Sequence, residues 1–186
     1  EVGVEASRSD LFRTVHLAEV GRDYAADMDG DGRFDGDTAD TRDHRYGASG
    51  IDGVAFGPRF GRRDGPVLLT VAYGVYGDVG RTDNDHQVLL QYDIAAWDRY
   101  AQPLSEAAPH REGPAAVDGK YFVRTGNTTY GVQNLAYDAE AGRWFMGVYQ
   151  GRKPEFPNYL LFAVDAEARP ARGDLIGVPA ASGQGW

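Results

Sequence analysis

Cysteine is absent from the 186 residues, which excludes disulfides, thiolate nucleophiles and cysteine-held metals and leaves the redox compartment unread. Lysine is nearly absent: Lys120 and Lys153 are the only two, and arginine carries the remaining positive charge, a bias of coding composition rather than of function. The 19 basic residues are outnumbered by 28 acidic ones, for a net charge of −9. Nucleic acid is therefore excluded as a partner, because neutralising phosphates needs a basic face. No apolar run approaches the ~20 residues of a membrane helix, so no membrane partner is expected. Helical periodicity is also missing, since Gly or Pro interrupts every long apolar i, i+3, i+4, i+7 pattern. There is no Gly-x-Ser-x-Gly elbow, no His-Glu-x-x-His helix and no Gly-x-x-x-x-Gly-Lys phosphate loop. The four histidines, His16, His44, His86 and His110, are scattered without ligand spacing.

What is present is short apolar runs between turns. Hydrophobic residues make up 42% and aromatics 12%, enough for a folded core, and 25 glycines sit mostly between the runs. Val67–Tyr73, Gln87–Tyr92, Lys120–Arg124, Arg143–Tyr149 and Tyr159–Val164 read as strands, each bounded by Gly, Pro or Asp.

Two of these groups repeat. Gly50-Ile-Asp-Gly-Val-Ala-Phe56 matches Gly131-Val-Gln-Asn-Leu-Ala-Tyr137 in order and character. A run ending in Val71-Ala72-Tyr73 is followed, in the second copy, by one ending in Gly147-Val148-Tyr149. Gln87–Asp93 then answers to Tyr159–Asp165. Strand order is kept while loops shorten, as expected of repeats that vary in their connections. A fourth strand follows each copy, at Lys120–Thr125 and Asp174–Val178, and Leu11–Ala18 suits the outer strand of a preceding unit. The expected class is all-β.

Four antiparallel strands per unit resemble the blades of a β-propeller, over roughly residues 45 to 178. The resemblance implies one partial propeller domain over 1–186, with a loop insertion at 19–44 and blades at 45–125 and 126–178. The alternative is a β-sandwich. Two blades cannot close a ring, which needs about four to eight. The start at Glu1 without Met, the absence of a signal peptide and the turn-like end Ala181–Trp186 read as a segment of a longer protein. That longer chain, or a partner copy, would supply the missing blades.

The strongest local motif is Asp27-Met-Asp-Gly-Asp-Gly-Arg-Phe-Asp35. Carboxylates at alternate positions converge on one hard cation if the backbone coils, and Gly32 permits the coil. The loop is similar to EF-hand and dockerin-type calcium loops, which implies Asp27, Asp29, Asp31, the Arg33 carbonyl and Asp35 as ligands of a structural Ca2+. Position 12, normally Glu, is Thr38, with Asp37 or Asp40 as substitutes, and no flanking helices are evident. The same motif read plainly is a solvated acidic loop. The acidic, cysteine-free composition suits an extracellular bacterial protein.

Three further constellations carry polar chemistry. His44-Arg45-Tyr46-Gly-Ala-Ser-Gly-Ile-Asp52 leads into the innermost strand, where a propeller would rim its channel. Asp52 and its repeat counterpart Gln133, with Asn134, are polar within apolar patterns, although an Asp beside Gly often only caps a turn. The loop Tyr76–His86 offers Asp83, Asp85 and His86 but reads first as a solvated hairpin loop. Thr125–Gly131 and Gln150–Tyr159 mix aromatic rings with Arg152, Lys153 and Glu155, a composition that stacks on and hydrogen-bonds to sugars. Tyr149 repeats Tyr73 and reads first as packing.

The expectation is thus a secreted calcium-binding propeller that binds or acts on carbohydrate or another small ligand. If it is a glycoside hydrolase, Asp52 and His44 are the catalytic candidates, and Arg45, Gln133, Asn134 and Arg152 would bind substrate. The alternatives are a non-enzymatic recognition module and a calcium-dependent ester or lactone hydrolase.

Overall fold

The computed structural model describes residues 8–38, 40–46, 50–74, 77–179 and 181–186, with backbone only for 8–11. Gly47, Ala48 and Ser49 of the His44–Asp52 segment, and Tyr76 of the Tyr76–His86 loop, lie outside the described residues. The fold is all-β. Its strands are β1 (Arg8–Thr14), β2 (Gly53–Pro58), β3 (Val67–Tyr73), β4 (His86–Tyr92), β5 (Gln102–Ser105), β6 (Gly119–Arg124), β7 (Thr128–Asp138), β8 (Arg143–Gln150), β9 (Leu161–Asp165), β10 (Ala171–Asp174) and β11 (Ser182–Gly185). One seven-residue helix, α1 (Ala18–Tyr24), precedes β2, and 3-10 turns occupy Asp43–Tyr46 and Trp97–Arg99.

The strands form three open sheets: β1-β5, the six-stranded β10-β11-β6-β4-β3-β2, and the three-stranded β7-β8-β9. Two antiparallel meanders follow one another along the chain, β2-β3-β4-β6 and β7-β8-β9. Strand pairing refines how they correspond. Gly53 pairs with Ala72, and its counterpart Asn134 pairs with Gly147. Ala72 therefore answers to Gly147, one residue earlier than the sequence match had placed it.

The meanders stack with a consistent direction. The front face of the first carries Val71, Tyr73, Val88, Leu90, Tyr92 and Phe122, packed under Val20 and Tyr46. Its back face carries Ala72, Leu89, Tyr121 and Val123. These meet Leu135, Trp144, Met146, Val148 and Val164, the front face of the second meander. Both sides of β4 are thereby covered, and every residue of it is buried. The sheets sit front to back, so the corresponding residues Val71 and Met146 face the same way. Burying Trp144, fully enclosed, contributes roughly 2–3 kcal/mol by removing its apolar surface from water.

Glycine creates the fit. A Cβ on Gly57 would lie 2.5 Å from Trp144 Cζ2, so the indole occupies the space a side chain would need. A Cβ on Gly74 would lie 2.2 Å from the Gly131 Cα, so the two backbones touch. Buried amides lock the register. Gln91 Nε2 donates to the Pro58 carbonyl at 3.0 Å and to Thr70 Oγ1 at 3.1 Å, and its Oε1 accepts from Phe60 N at 3.1 Å. Gln87 Nε2 donates to Thr125 Oγ1 at 2.9 Å and Thr128 Oγ1 at 3.1 Å. Left unpaired, such groups would each cost about 1–3 kcal/mol, which disfavours every slipped register.

Two expectations are corrected. Asp174–Val178 is not the fourth strand of the second meander: beyond Asp174 it is turn, and β10 and β11 instead extend the first sheet. β11 pairs parallel to β6, Gln184 opposite Tyr121, and Trp186 packs on Phe60 and Tyr121 at ring-centroid distances of 5.1 and 5.9 Å. The N-terminal strand pairs with β5 in a separate ribbon rather than beginning a preceding unit. The helix α1 is held by ions: Lys120 Nζ donates to Glu19 Oε1 at 2.9 Å and to both Asp23 oxygens at 2.7 Å, and Tyr73 OH donates to Asp23 Oδ2 at 2.5 Å.

Candidate functional site

Antiparallel pairing puts the start of β2, the end of β3, the start of β4, the end of β6, the start of β7 and the end of β8 at one end of the stacked sheets. The three polar loop constellations gather there.

The acidic loop folds back on itself. Asp27 Oδ1 accepts from Gly30 N at 2.6 Å and Asp31 N at 3.2 Å, and Asp27 Oδ2 accepts from Gly32 N at 2.8 Å. Gly30 and Gly32 take φ of 76° and 83°, left-handed values that favour glycine. One carboxylate oxygen from each of Asp27, Asp29 and Asp31 lies within 4.8 Å of the others, all exposed. Backbone amides, that of Gly32 foremost, hold Asp27 below the usual carboxylate range. Asp29 is raised, by desolvation and by the carboxylates of Asp31, Asp43 and Asp27. Asp35 is outside the converging trio: its backbone N donates to Asp43 Oδ2 at 3.1 Å, and its carbonyl accepts from Thr38 N and Thr41 Oγ1.

Asp43 is the residue that sequence reasoning missed. It is buried, and its carboxylate accepts from Met28 N at 2.5 Å and Asp35 N at 3.1 Å, pinning both arms of the loop. No spacing in the sequence marks it. Arg81 then ties the downstream arm to the β3–β4 loop, donating to the carbonyls of Thr41 at 2.5 Å and Arg42 at 2.6 Å while paired with Asp83 at 2.9 Å.

The structure brings Asp52 and Gln133 together, the amide Nε2 lying 3.4 Å from Asp52 Oδ2 and 3.1 Å from the Tyr130 carbonyl. Asp52 is exposed and lies close enough to half-buried Tyr24 to help push that phenol up to about 12, after the larger effect of burial. His44 Nδ1 is 2.6 Å from the Gly36 carbonyl, so the ring serves the acidic loop. Arg45 is buried, its Nε donating to the Asp83 carbonyl at 2.8 Å and its guanidinium lying 5.0 Å from the centre of the Tyr46 ring. Asn134 is exposed on the back face of β7, beside Gly147. Arg152 lines an open cleft of about 480 Å³ with Asp40, Asp78, Thr129 and Tyr130. The Tyr130 ring is half exposed and meets Tyr149 edge to face at 5.8 Å.

Behind the cleft, Lys153 is buried. Its ammonium donates to the Arg81 carbonyl at 2.5 Å, Asn84 Oδ1 at 2.8 Å and Asp85 Oδ1 at 2.7 Å. All three donors are used, so Lys153 and Asp85 brace the loops rather than offer free groups. His86 is buried and pushed down to about 4 by burial, with Arg45 and Arg124 adding to the shift. It is neutral at physiological pH. No family model, curated protein or solved structure matches the chain.

Proposed function

We propose that the chain is part of an extracellular β-propeller that binds carbohydrate at the rim of its stacked sheets, with a structural calcium ion holding the rim loop. The observation that supports the blade reading is the front-to-back stacking of two meanders, in which the face of the second that packs on the first matches, by strand pairing, the face of the first that lies under α1. The sugar reading rests on the Arg152–Tyr130 cleft, where a half-exposed ring, the exposed Arg152 and the acidic residues Asp40 and Asp78 surround one space. Rings stack on the apolar faces of pyranoses, and guanidinium and carboxylate groups read their hydroxyls.

Calcium would sit among Asp27, Asp29 and Asp31, where three carboxylates converge on exposed space. Its role is to hold the arm from Asp35 to Arg42, and through Arg81 the loop that lines the cleft. Binding is favoured over hydrolysis because the partner of Asp52 is the Gln133 amide, not a second carboxylate across a gap of ~5 to 9.5 Å.

A glycan array probed with the intact chain, with and without calcium, tests the reading. Arg152→Ala and Tyr130→Ala should abolish the signal while leaving the melting temperature unchanged. Failure to bind any glycan, or binding indifferent to both substitutions, would sink the carbohydrate assignment. Calorimetric titration with calcium chloride tests the ion separately, and Asp29→Asn should remove the heat of binding.

A further inference from the structure

Two rim loops meet at a buried cluster of three side chains. Lys153, in the loop after β8, is 2% exposed, and Asn84 and Asp85, just before β4, are 0% and 8% exposed. The Lys153 ammonium donates to Asn84 Oδ1 at 2.8 Å and to Asp85 Oδ1 at 2.7 Å. The centre of the Phe156 ring lies 5.9 Å from Nζ. These contacts brace the loops. They also hold an amine, an amide and a proton acceptor together, away from bulk water.

A C=O bond is about 1.2 Å long, so Lys153 Nζ lies within about 4 Å of the Asn84 amide carbon. A near-attack separation is about 3–3.5 Å, which a small shift of the flexible lysine stem reaches. Asn84 Nδ2 donates to the Asp78 carbonyl at 2.7 Å, which holds the amide in place. The amide is the electrophile, because an ionised carboxylate repels a nucleophile and a neutral amide does not. The chain has no cysteine, so no disulfide can join its two meanders.

We propose that Lys153 and Asn84 join in an isopeptide bond, with Asp85 as the proton acceptor. The Nζ proton facing Asp85 passes to its carboxylate, while the Arg81 carbonyl still holds the amine. The amine turns its lone pair toward the Asn84 amide carbon and attacks. A second Nζ proton moves to Nδ2, which leaves as ammonia. One C–N bond forms and one breaks, Asp85 is left as the neutral acid, and no oxidant or co-reactant is needed. The pair rests as ions, so the reaction starts from its minor neutral form, which desolvation of the charges keeps within reach. Freshly made protein therefore still carries the ammonium, and the bond accumulates with time. Once formed, it closes a loop between residues 69 apart and ties the β3–β4 loop to the β8–β9 loop, restricting the unfolded chain as a disulfide would.

Intact-mass spectrometry of the whole chain, fresh and after days of incubation in the folded state, tests this. The mass should fall by one ammonia, and the bonded form should melt at a higher temperature than the fresh one. Tryptic fragments beginning at Thr82 and at Lys153 should then appear as one branched peptide. Lys153→Arg and Asp85→Ala, each shown to be folded by circular dichroism, should keep their full mass. An unchanged mass in the folded wild type overturns the proposal, whether or not either variant folds. So does ammonia loss without a branched peptide, or ammonia loss that persists in Lys153→Arg, since either places the reaction within the Asn84 backbone. A branched peptide joined through Asp85 with loss of water, or bonding of Asp85→Ala at the wild-type rate, overturns the roles assigned to the two residues.

Discussion

Replacing Lys153 by Met keeps the length of the side chain and removes its charge. The ammonium has 2% exposure and three acceptors, the carbonyl of Arg81, the amide oxygen of Asn84 and the carboxylate of Asp85. Met satisfies none of them. Asp85, itself 8% exposed, would be left charged without its partner. Breaking a buried pair from one side costs about 3–5 kcal/mol, because the remaining charge keeps its desolvation penalty. In a domain of this size each kcal/mol lowers the melting temperature by about 2–4 °C, so the expected fall is ~6–20 °C. Differential scanning calorimetry reads it, and the double variant Lys153→Met/Asp85→Leu should recover much of the loss because no charge is stranded. A fall below about 3 °C would refute the reasoning, since it would place the ammonium in water rather than among its three acceptors.

Further outcomes follow from the same structure. If the loop holds calcium as proposed, saturation at about a hundred times the dissociation constant would add about 2.7 kcal/mol to stability, so chelation should lower the melting temperature by ~5–11 °C. Asp43→Ala should weaken calcium binding although Asp43 is outside the converging trio, because it frees Met28 N and Asp35 N; calorimetric titration checks this. Calcium affinity at the proposed site should fall on acidification at a higher pH than ordinary carboxylates would give, because Asp29 holds its proton more strongly, and calorimetric titration at a series of pH values checks this. His86 has a folded pKa lowered from 6.5 to about 4, so the unfolded chain takes up a proton that the folded chain refuses. Its contribution to stability is full above about pH 6.5 and is lost as pH falls toward 4, and urea unfolding of His86→Gln should show a flatter dependence over that window.

The strands of the first meander were legible because each is a run of β-branched and aromatic residues closed by turn residues. The strand character of β7 and β8 was legible, but their register against one another was not. Gly147, Val148 and Tyr149 match Val71, Ala72 and Tyr73 by residue type, and only pairing across the sheet decides which residues face the same way. The strand at Ser182–Gly185 was illegible for a physical reason. Its sequence, Ser-Gly-Gln-Gly, has no strand preference, and it pairs because glycine lets it approach closely: a Cβ on Gly185 would lie 1.9 Å from the Phe122 carbonyl oxygen. The acidic trio was visible in its spacing. Asp43 was not, because its partners are backbone amides, which leave no trace in residue identity.

The anchoring of α1 bears on synthesis. Lys120 lies 101 residues after Glu19 and 97 after Asp23, and the sheet that α1 covers is incomplete until β6 has been made. At about 5–20 residues per second, the helix waits ~5–20 s after its own emergence for the residue that holds it. A seven-residue helix is not stable alone over that time, so α1 remains unfolded until β6 has been made. Its capture by Lys120 then becomes a late event, timed by the ribosome rather than by the speed of helix formation.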